Sequence, residues 1–154
     1  MYLYLVQHAE AKSKDQDSKR GLTEKGLADI KKVSAHAARR TPFEVGVVTH
    51  SGKARAEQTA TILAEQWEPH AGVIPVNDLD PTADPSIWGE RLSLMDNDTM
   101  LVGHLPHLSK LAGLLICGDA NVEPIQFKNA GIVCLEKDEN GNWSLRWMLT
   151  PEQV

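Results

Sequence analysis

The chain has 154 residues, which suits one domain, and 42% of them are hydrophobic, enough to build a substantial core. Its 16 Lys and Arg stand against 21 Asp and Glu, for a formal net charge of -5. That charge argues against a nucleic-acid surface, because phosphate backbones are bound mainly by an excess of basic residues. The apolar start is too short for a signal peptide or a membrane span. We expect one cytoplasmic, monomeric domain over residues 1–154, with neither a nucleic-acid nor a membrane partner.

Apolar runs and helical patterns alternate along the chain, which is typical of an α/β domain built from βαβ units. Strands are predicted at 2–6, 45–49, 73–76, 99–102, 131–136 and 143–148. A first helix is predicted to begin after Thr23 as N-cap and to end before Pro42. Further helices are predicted at 54–66, at 87–94 and from Pro106 onwards. Between the last two strands, Asn140-Gly141 indicates a hairpin turn.

Unusual polar residues follow three of the predicted strands. Gln7 and His8 follow the first, Ser51 and Arg55 the second, and His104 the fourth. In open parallel sheets the functional crevice lies beyond the carboxyl ends of the strands, so these side chains can converge. Two imidazoles and a guanidinium suit phosphoryl transfer, because a neutral imidazole can attack phosphorus while cationic donors neutralise the phosphoryl oxygens.

Cysteine and histidine usage gives no sign of a metal site. Cys117 and Cys134 are the two cysteines, and free thiols in a reducing compartment are the default for a chain of this size. A zinc site needs more cysteines or a clustered set of histidines. We expect no metal and no cofactor. His36 and His70 are interpreted as surface residues, whereas His50 and His107 flank the presumed site and could contact a substrate.

Four segments, taken together, resemble the motifs of the histidine phosphatase superfamily. Residues 3–11 (LYLVQHAEA) resemble its opening Arg-His-Gly motif, and 20–26 (RGLTEKG) resemble the Arg-Pro-Leu-Thr segment that follows. Residues 51–60 (SGKARAEQTA) are similar to the Ser-Pro-x-x-Arg-Ala-x-Gln-Thr motif, and 101–106 (LVGHLP) to the strand with the second histidine. Order and spacing match over nearly the whole chain, and the small SixA-like phosphohistidine phosphatases are the most similar branch.

The resemblance implies a three-layer α/β/α fold with a mostly parallel central sheet, the phosphoglycerate mutase-like fold. It also implies that His8 is the phosphorylated nucleophile, assisted by His104 and Arg55. The phosphate-binding set that it implies comprises Gln7, Arg20, Arg55, His104 and Leu105.

Two departures from the family pattern matter. Gly52 stands where the family usually has proline, which we expect to be benign because glycine tolerates most turn geometries. Gln7 stands where the family has its first phosphate-binding arginine, and here a forked cation is replaced by a neutral amide. Losing one preorganised donor typically costs about 3 kcal/mol of transition-state stabilisation. We expect a slowed enzyme.

The chain has no spare length for the insertions that roof the pocket in larger members of the superfamily. An open site can admit a side chain of another protein, and phosphoramidates need less general-acid help than alcohol esters. Glu10, Asp80 and Asp84 are carboxylates that could serve as a general acid. Asp80 and Asp84 lie in a loop with prolines, where aspartate more often forms turns or caps, and neither is assigned a role. The expected substrate is phosphohistidine of a protein. A small-molecule phosphomonoesterase remains an alternative, as does a catalytically weak module that binds phosphate or a phosphoprotein.

Overall fold

The sheet and helices follow one another in the order that the alternating pattern predicts. In a computed structural model, residues 1–40 and 44–154 are described. The strands are β1 (Tyr2–Gln7), β2 (Val48–His50), β3 (Val73–Pro75), β4 (Thr99–Gly103), β5 (Ile132–Lys137) and β6 (Trp143–Leu149). The helices are α1 (Glu24–Arg40), α2 (Ala54–Trp67), α3 (Pro85–Ser93) and α4 (His107–Cys117), followed by a short 3-10 turn at Pro151–Gln153.

The six strands form one sheet in the order β3-β2-β4-β1-β5-β6. Neighbours from β3 to β1 pair in parallel, whereas β5 pairs antiparallel with both β1 and β6. In the parallel half, a helix connects each strand to the next, from β1 to β4. β5 follows α4 but enters the sheet antiparallel to β1, and it forms a hairpin with β6. The predicted α/β class with a mostly parallel sheet is therefore confirmed.

Strand periodicity divides the core into two layers. On β1, Tyr4 and Val6 pack toward α1 and α2, whereas Leu3 and Leu5 pack toward α3 and α4. All four side chains are at most 1% exposed. Successive side chains of a strand point to opposite faces, so a strand buried on both faces must be apolar throughout. The result is three layers, with a helix pair on each face of the sheet.

Helix ends are set by local chemistry that the sequence signals. Thr23 Oγ1 accepts a hydrogen bond from the Gly26 backbone N–H at 2.9 Å, as expected for an N-cap. Helix α3 begins at Pro85, two residues earlier than predicted, because the Asp84 carboxylate caps it by accepting from the Ser86 N–H at 2.9 Å. Pro42, expected to end α1, lies outside the described residues.

Two predicted features differ from the structure. The second strand spans Val48–His50 rather than 45–49, because pairing with β4 begins only at Val48, although Val45 is already buried. The hairpin connection is longer than an Asn140-Gly141 pair. Gly141 has a φ of 82°, whereas a two-residue type I′ turn needs a positive φ at both positions. The Asp138 carboxylate instead organises this loop by accepting from the N–H groups of Asn140 and Asn142, each at 2.9 Å.

Candidate active site

The carboxyl ends of the parallel strands meet at one edge of the sheet, as the sequence predicts. Gln7, the last residue of β1, lies opposite Gly103, the last residue of β4. His50, the last residue of β2, lies opposite Val102 of β4. His8, Ser51 and His104 therefore leave the sheet at nearly the same level. The ring centroids of His8 and His104 are 5.1 Å apart.

The backbone around His8 fixes which ring nitrogen is free. His8 Nδ1 lies 2.7 Å from the Ala9 carbonyl oxygen. A carbonyl oxygen can only accept, so Nδ1 carries the hydrogen and Nε2 keeps its lone pair. Burial lowers the pKa of His8, and the charges of Arg55 and Arg20 lower it further, while the bond to Ala9 opposes the shift. The ring is thus held neutral at physiological pH, with Nε2 available as a nucleophile.

Hydrogen bonds from distant parts of the chain hold the His8 loop in place. The His8 N–H donates to the Gly103 carbonyl at 3.0 Å, and Asn129 Nδ2 donates to the His8 carbonyl at 2.8 Å. The Ala9 N–H donates to Thr59 Oγ1 at 3.0 Å. Three separate elements therefore position the loop, which limits the directions that the imidazole can face.

His104 is buried beside His8 and contacts a serine. Its side chain is 1% exposed, and its Nε2 lies 2.6 Å from Ser51 Oγ. Nδ1 is buried and has no hydrogen-bond partner among the described residues. Burial, followed by the charges of His8, Arg55 and Lys53, lowers the pKa of His104 to about 3. His104 is consequently a neutral ring whose Nε2 is already engaged by a hydroxyl.

Arg55 and Arg20 supply the positive charge of the site. Both charges act on His8, and the charge of Arg20 adds to burial in lowering the pKa of Arg55. Arg55 Nε is buried without a hydrogen-bond partner among the described residues. Arg20 Nε donates to the Lys12 carbonyl at 3.0 Å, which ties this arginine to its own loop. Among residues 1–40 and 44–154, neither arginine forms a salt bridge, so a bound anion would stabilise both charges.

Gln7 and Leu105 relate to the site in different ways. Gln7 is half-buried, and its Oε1 is buried without a hydrogen-bond partner among the described residues. Only the amide N–H groups of this side chain can donate hydrogen bonds to an anion. Leu105 is 38% exposed, and it adjoins the site because it directly follows His104 in the chain.

The interpretations of the other histidines need partial correction. His50 and His107, considered as possible substrate contacts, are only 3% and 0% exposed. His50 Nδ1 accepts a hydrogen bond from the Gly52 N–H at 3.1 Å, which shapes the turn after β2. His36 is half-buried rather than a surface residue, whereas His70 is exposed as expected.

Sequence reasoning did not assign a role to Ser51, Asn129 or Thr59. Ser51 could have been found, because it is the first residue after β2 and lies in a segment that matches a family motif. Asn129 and Thr59 act through contacts 121 and 50 residues away in the chain, for which the sequence carries no local signal. Within residues 1–40 and 44–154, no three His, Cys, Asp or Glu side chains are grouped as a metal site would require.

The chain is similar to known proteins over nearly its whole length. No family model matches the chain. The phosphohistidine phosphatase SixA of Escherichia coli (strain K12) is 25% identical over 156 residues, covering 98% of this chain and 94% of that protein. The structure of the protein histidine phosphatase SixA complexed with tungstate superposes with a TM-score of 0.82 at 22% identity, covering 98% of this chain and 97% of that one. A putative SixA from Agrobacterium tumefaciens has a TM-score of 0.76 at 25% identity, covering 97% of each chain.

The six-stranded, mostly parallel sheet matches solved structures of a SixA phosphatase and of a phosphoglycerate mutase, so the chain has the phosphoglycerate mutase-like fold. In sequence and in structure, the chain is a homologue of the phosphohistidine phosphatase SixA. Among the described residues, no helix is both long and apolar enough to cross a membrane.

Proposed function

We propose that this chain is a phosphatase that removes the phosphoryl group from phosphohistidine of a protein, through a phospho-His8 intermediate. The observation that carries the proposal is the bond from His8 Nδ1 to the Ala9 carbonyl at 2.7 Å. It leaves Nε2 as a free nucleophile beside His104 and two arginines. Homology to SixA over 98% of the chain supports phosphohistidine as the substrate class.

In the first step, the Nε2 lone pair of His8 attacks phosphorus and the substrate P–N bond breaks. The electron pair of that bond goes to the leaving imidazole nitrogen. When the other ring nitrogen of the substrate is protonated, the leaving group is a neutral imidazole, so the enzyme need not supply a general acid. Arg55, Arg20 and Gln7 donate to the phosphoryl oxygens as negative charge develops on them.

In the second step, water attacks phospho-His8, the P–Nε2 bond breaks, and inorganic phosphate leaves. We assign to His104 the role of donating from Nε2 to a phosphoryl oxygen, with Ser51 as the partner that the phosphate replaces. Neutral His8 is recovered because the Ala9 carbonyl keeps the hydrogen on Nδ1 throughout. The substrate that we propose is a cytoplasmic phosphoprotein, and Leu105 completes the rim of the phosphate site.

The test compares three substrates in the presence of excess EDTA, with release of inorganic phosphate as the readout. We expect a phosphohistidine peptide to give a higher kcat/KM than a sugar phosphate, with p-nitrophenyl phosphate turned over more slowly than the peptide. Preference for the sugar phosphate would favour the phosphomonoesterase alternative. Absence of turnover on all three, with vanadate still bound, would favour the binding module.

A further inference from the structure

A cavity adjoins the active site at the same edge of the sheet. It has a volume of about 540 Å³ and is lined by Ser51, Pro75, Val76, Asn77, Trp88 and Arg91. Ser51 belongs to both places, because its hydroxyl lies 2.6 Å from His104 Nε2. A cavity of this size is within the range of ligand sites in proteins.

The sheet order gives the distance from His8 to Ser51, the lining residue at the near side of this cavity. β1, which ends before His8, is separated from β2, which ends before Ser51, by β4 alone. Two interstrand spacings of about 4.8 Å put the two strand ends about 10 Å apart. An extended peptide covers about 10 Å in three residues. A protein segment whose phosphohistidine meets His8 can therefore place a residue up to about three positions away in the cavity.

The charged group of the cavity wall, the Arg91 guanidinium, is already paired. Arg91 Nη2 donates to the Asp78 carboxylate at 2.6 Å, and Arg91 Nη1 donates to the Asn77 carbonyl at 3.3 Å. The Arg91 guanidinium also stacks over the Trp88 ring, 5.0 Å from its centroid. Trp88 Nε1 donates to the same Asn77 carbonyl at 3.2 Å. A charged side chain entering here would have to break these pairs, which is costly where they are partly buried.

What remains for a ligand is the apolar wall. Pro75 is exposed at the end of the edge strand β3, and Val76 follows it half-buried. Removing such surface from water yields about 25 cal/mol per Å². The paired guanidinium and the free apolar wall together favour an uncharged, apolar side chain.

We propose that this cavity is a specificity subsite that holds an apolar side chain of the partner protein, within about three residues of the phosphohistidine. The proposal rests on the proposed function, because it takes His8 as the residue that meets the phosphoryl group. The subsite places the partner chain along the edge from β1 towards β3, and it selects among phosphohistidine proteins by the residues that flank the phosphorylated position.

The test measures binding separately from turnover. Two labelled peptides are compared, which carry either leucine or the similarly sized asparagine at the three positions on each side of the phosphohistidine. Fluorescence anisotropy measures the Kd of each peptide for the His8→Ala chain. We expect the leucine peptide to bind at least tenfold more tightly. Equal Kd values for the two peptides would overturn the proposal.

A blocking variant locates the effect in the cavity. The bonds of Asn77 shown above use its main-chain carbonyl, so Asn77→Trp should fill the cavity without deleting them. Asn97→Trp is the matched control, since Asn97 is also exposed and bonded through its carbonyl but lies before β4, at the opposite edge of the sheet. In the His8→Ala background, Asn77→Trp should raise the Kd of the leucine peptide at least tenfold. Asn97→Trp should change that Kd by less than twofold.

Equal effects of the two tryptophans would overturn the subsite. Val76→Asp, which puts a carboxylate on the apolar wall, gives a second check if Asn77→Trp does not fold. It should weaken the leucine peptide more than the asparagine peptide, and an equal loss for both would again contradict the subsite. Failure of the proposed function looks different, because the unmodified chain would then release no phosphate from either peptide whatever their Kd values.

Discussion

At the scale of single residues, position 7 is where this chain departs most from the chemistry that its other groups support. Gln7 ends β1 beside His8 and presents a neutral amide rather than a cation. We predict that Gln7→Arg raises kcat/KM for a phosphohistidine peptide about tenfold or more and tightens vanadate binding, because a charge-assisted donor replaces a neutral one. Steady-state kinetics and vanadate inhibition measure both effects.

A matched variant separates charge from shape at this position. Gln7→Met has a similar length and no donor, so it should lower kcat/KM below that of the unmodified chain. If Gln7→Arg lowers activity instead, Gln7 is fitted to a feature of the substrate that an arginine cannot serve.

Arg55 should control the pH at which His8 becomes active. The pKa of His8 is lowered, mainly by burial. The hydrogen bond to Ala9 raises it, and the charges of Arg55 and Arg20 lower it further. Protonated His8 cannot attack, so kcat/KM should fall as the pH falls through that pKa, below the ordinary value of about 6.5. Arg55→Ala removes a positive charge, so the pKa of His8 should rise and the acid limb should move to higher pH.

Arg55→Lys is the matched control, because it keeps the charge and should shift the acid limb less. Arg55→Ala should also weaken vanadate inhibition and slow turnover by roughly 10² or more. An acid limb that stays in place in Arg55→Ala, with vanadate affinity unchanged, would show that Arg55 does not face the phosphoryl group.

At the scale of elements, the turn from β2 into α2 is built differently from the family motif that it resembles. Gly52 has a φ of 90°, in the left-handed region, and its N–H donates to His50 Nδ1 at 3.1 Å. Proline cannot adopt this φ and has no N–H to donate. The glycine at this position is therefore coupled to His50 through the hydrogen bond of the turn.

We predict that Gly52→Pro destabilises the chain by about 2 kcal/mol or more and lowers kcat/KM, although proline is the usual family residue. Gly52→Ala should cost about 1 kcal/mol, because a Cβ there would meet nothing within 4 Å and the cost comes from the backbone alone. Urea unfolding and steady-state kinetics test both variants. Equal stability of Gly52→Pro and the unmodified chain would contradict this account of the turn.

The elements themselves could largely be predicted from the sequence, because buried strands and amphipathic helices leave different periodicities. Their ends could be predicted where a cap signals them, as Thr23 does for α1. The predicted start of β2, at residue 45, is wrong because an apolar run indicates burial rather than strand pairing. Pairing begins only where the neighbouring strand β4 lies alongside, at Val48. The contact between Ser51 and His104 joins residues 53 positions apart and depends on the register of two strands, which composition and spacing do not determine.

At the scale of the whole molecule, the net charge of -5 coexists with a site where the charge of Arg55 acts on both histidines, joined by Arg20 at His8 and by Lys53 at His104. A local positive potential can draw in an anionic group even when the protein is acidic. Folding stability is reduced at low pH, because the site and its surroundings bury several imidazoles. Burial lowers the pKa values of His8, His50, His104 and His107.

A lowered pKa makes stability depend on pH in a defined direction. The unfolded chain binds protons near pH 6.5 that the folded chain does not bind, so the stability present above that pH is lost as the pH falls. His107 is 0% exposed, and neither ring nitrogen has a hydrogen-bond partner among the described residues, while Asp78, Asp80 and Asp84 act on it in the opposing direction.

We predict that His107→Leu raises the free energy of unfolding below pH 6.5 and flattens its pH dependence by up to about 1.4 kcal/mol per pH unit, the contribution of one histidine. Urea denaturation between pH 7.5 and 5.0 measures this slope. His70→Leu, at an exposed position, serves as the control and should leave the slope unchanged. An equal slope in His107→Leu and the unmodified chain would contradict the prediction.

The central claim is that the phosphoryl group passes through His8, and trapping the intermediate tests it most directly. The chain is mixed with a phosphohistidine peptide labelled at phosphorus and quenched in base within the first turnover, and the labelled protein is digested and mapped. We predict one phosphate per chain on His8, stable in base and lost in acid as expected of a phosphoramidate, and no label in His8→Ala. Label on any other residue, or label that persists in His8→Ala, would contradict the account.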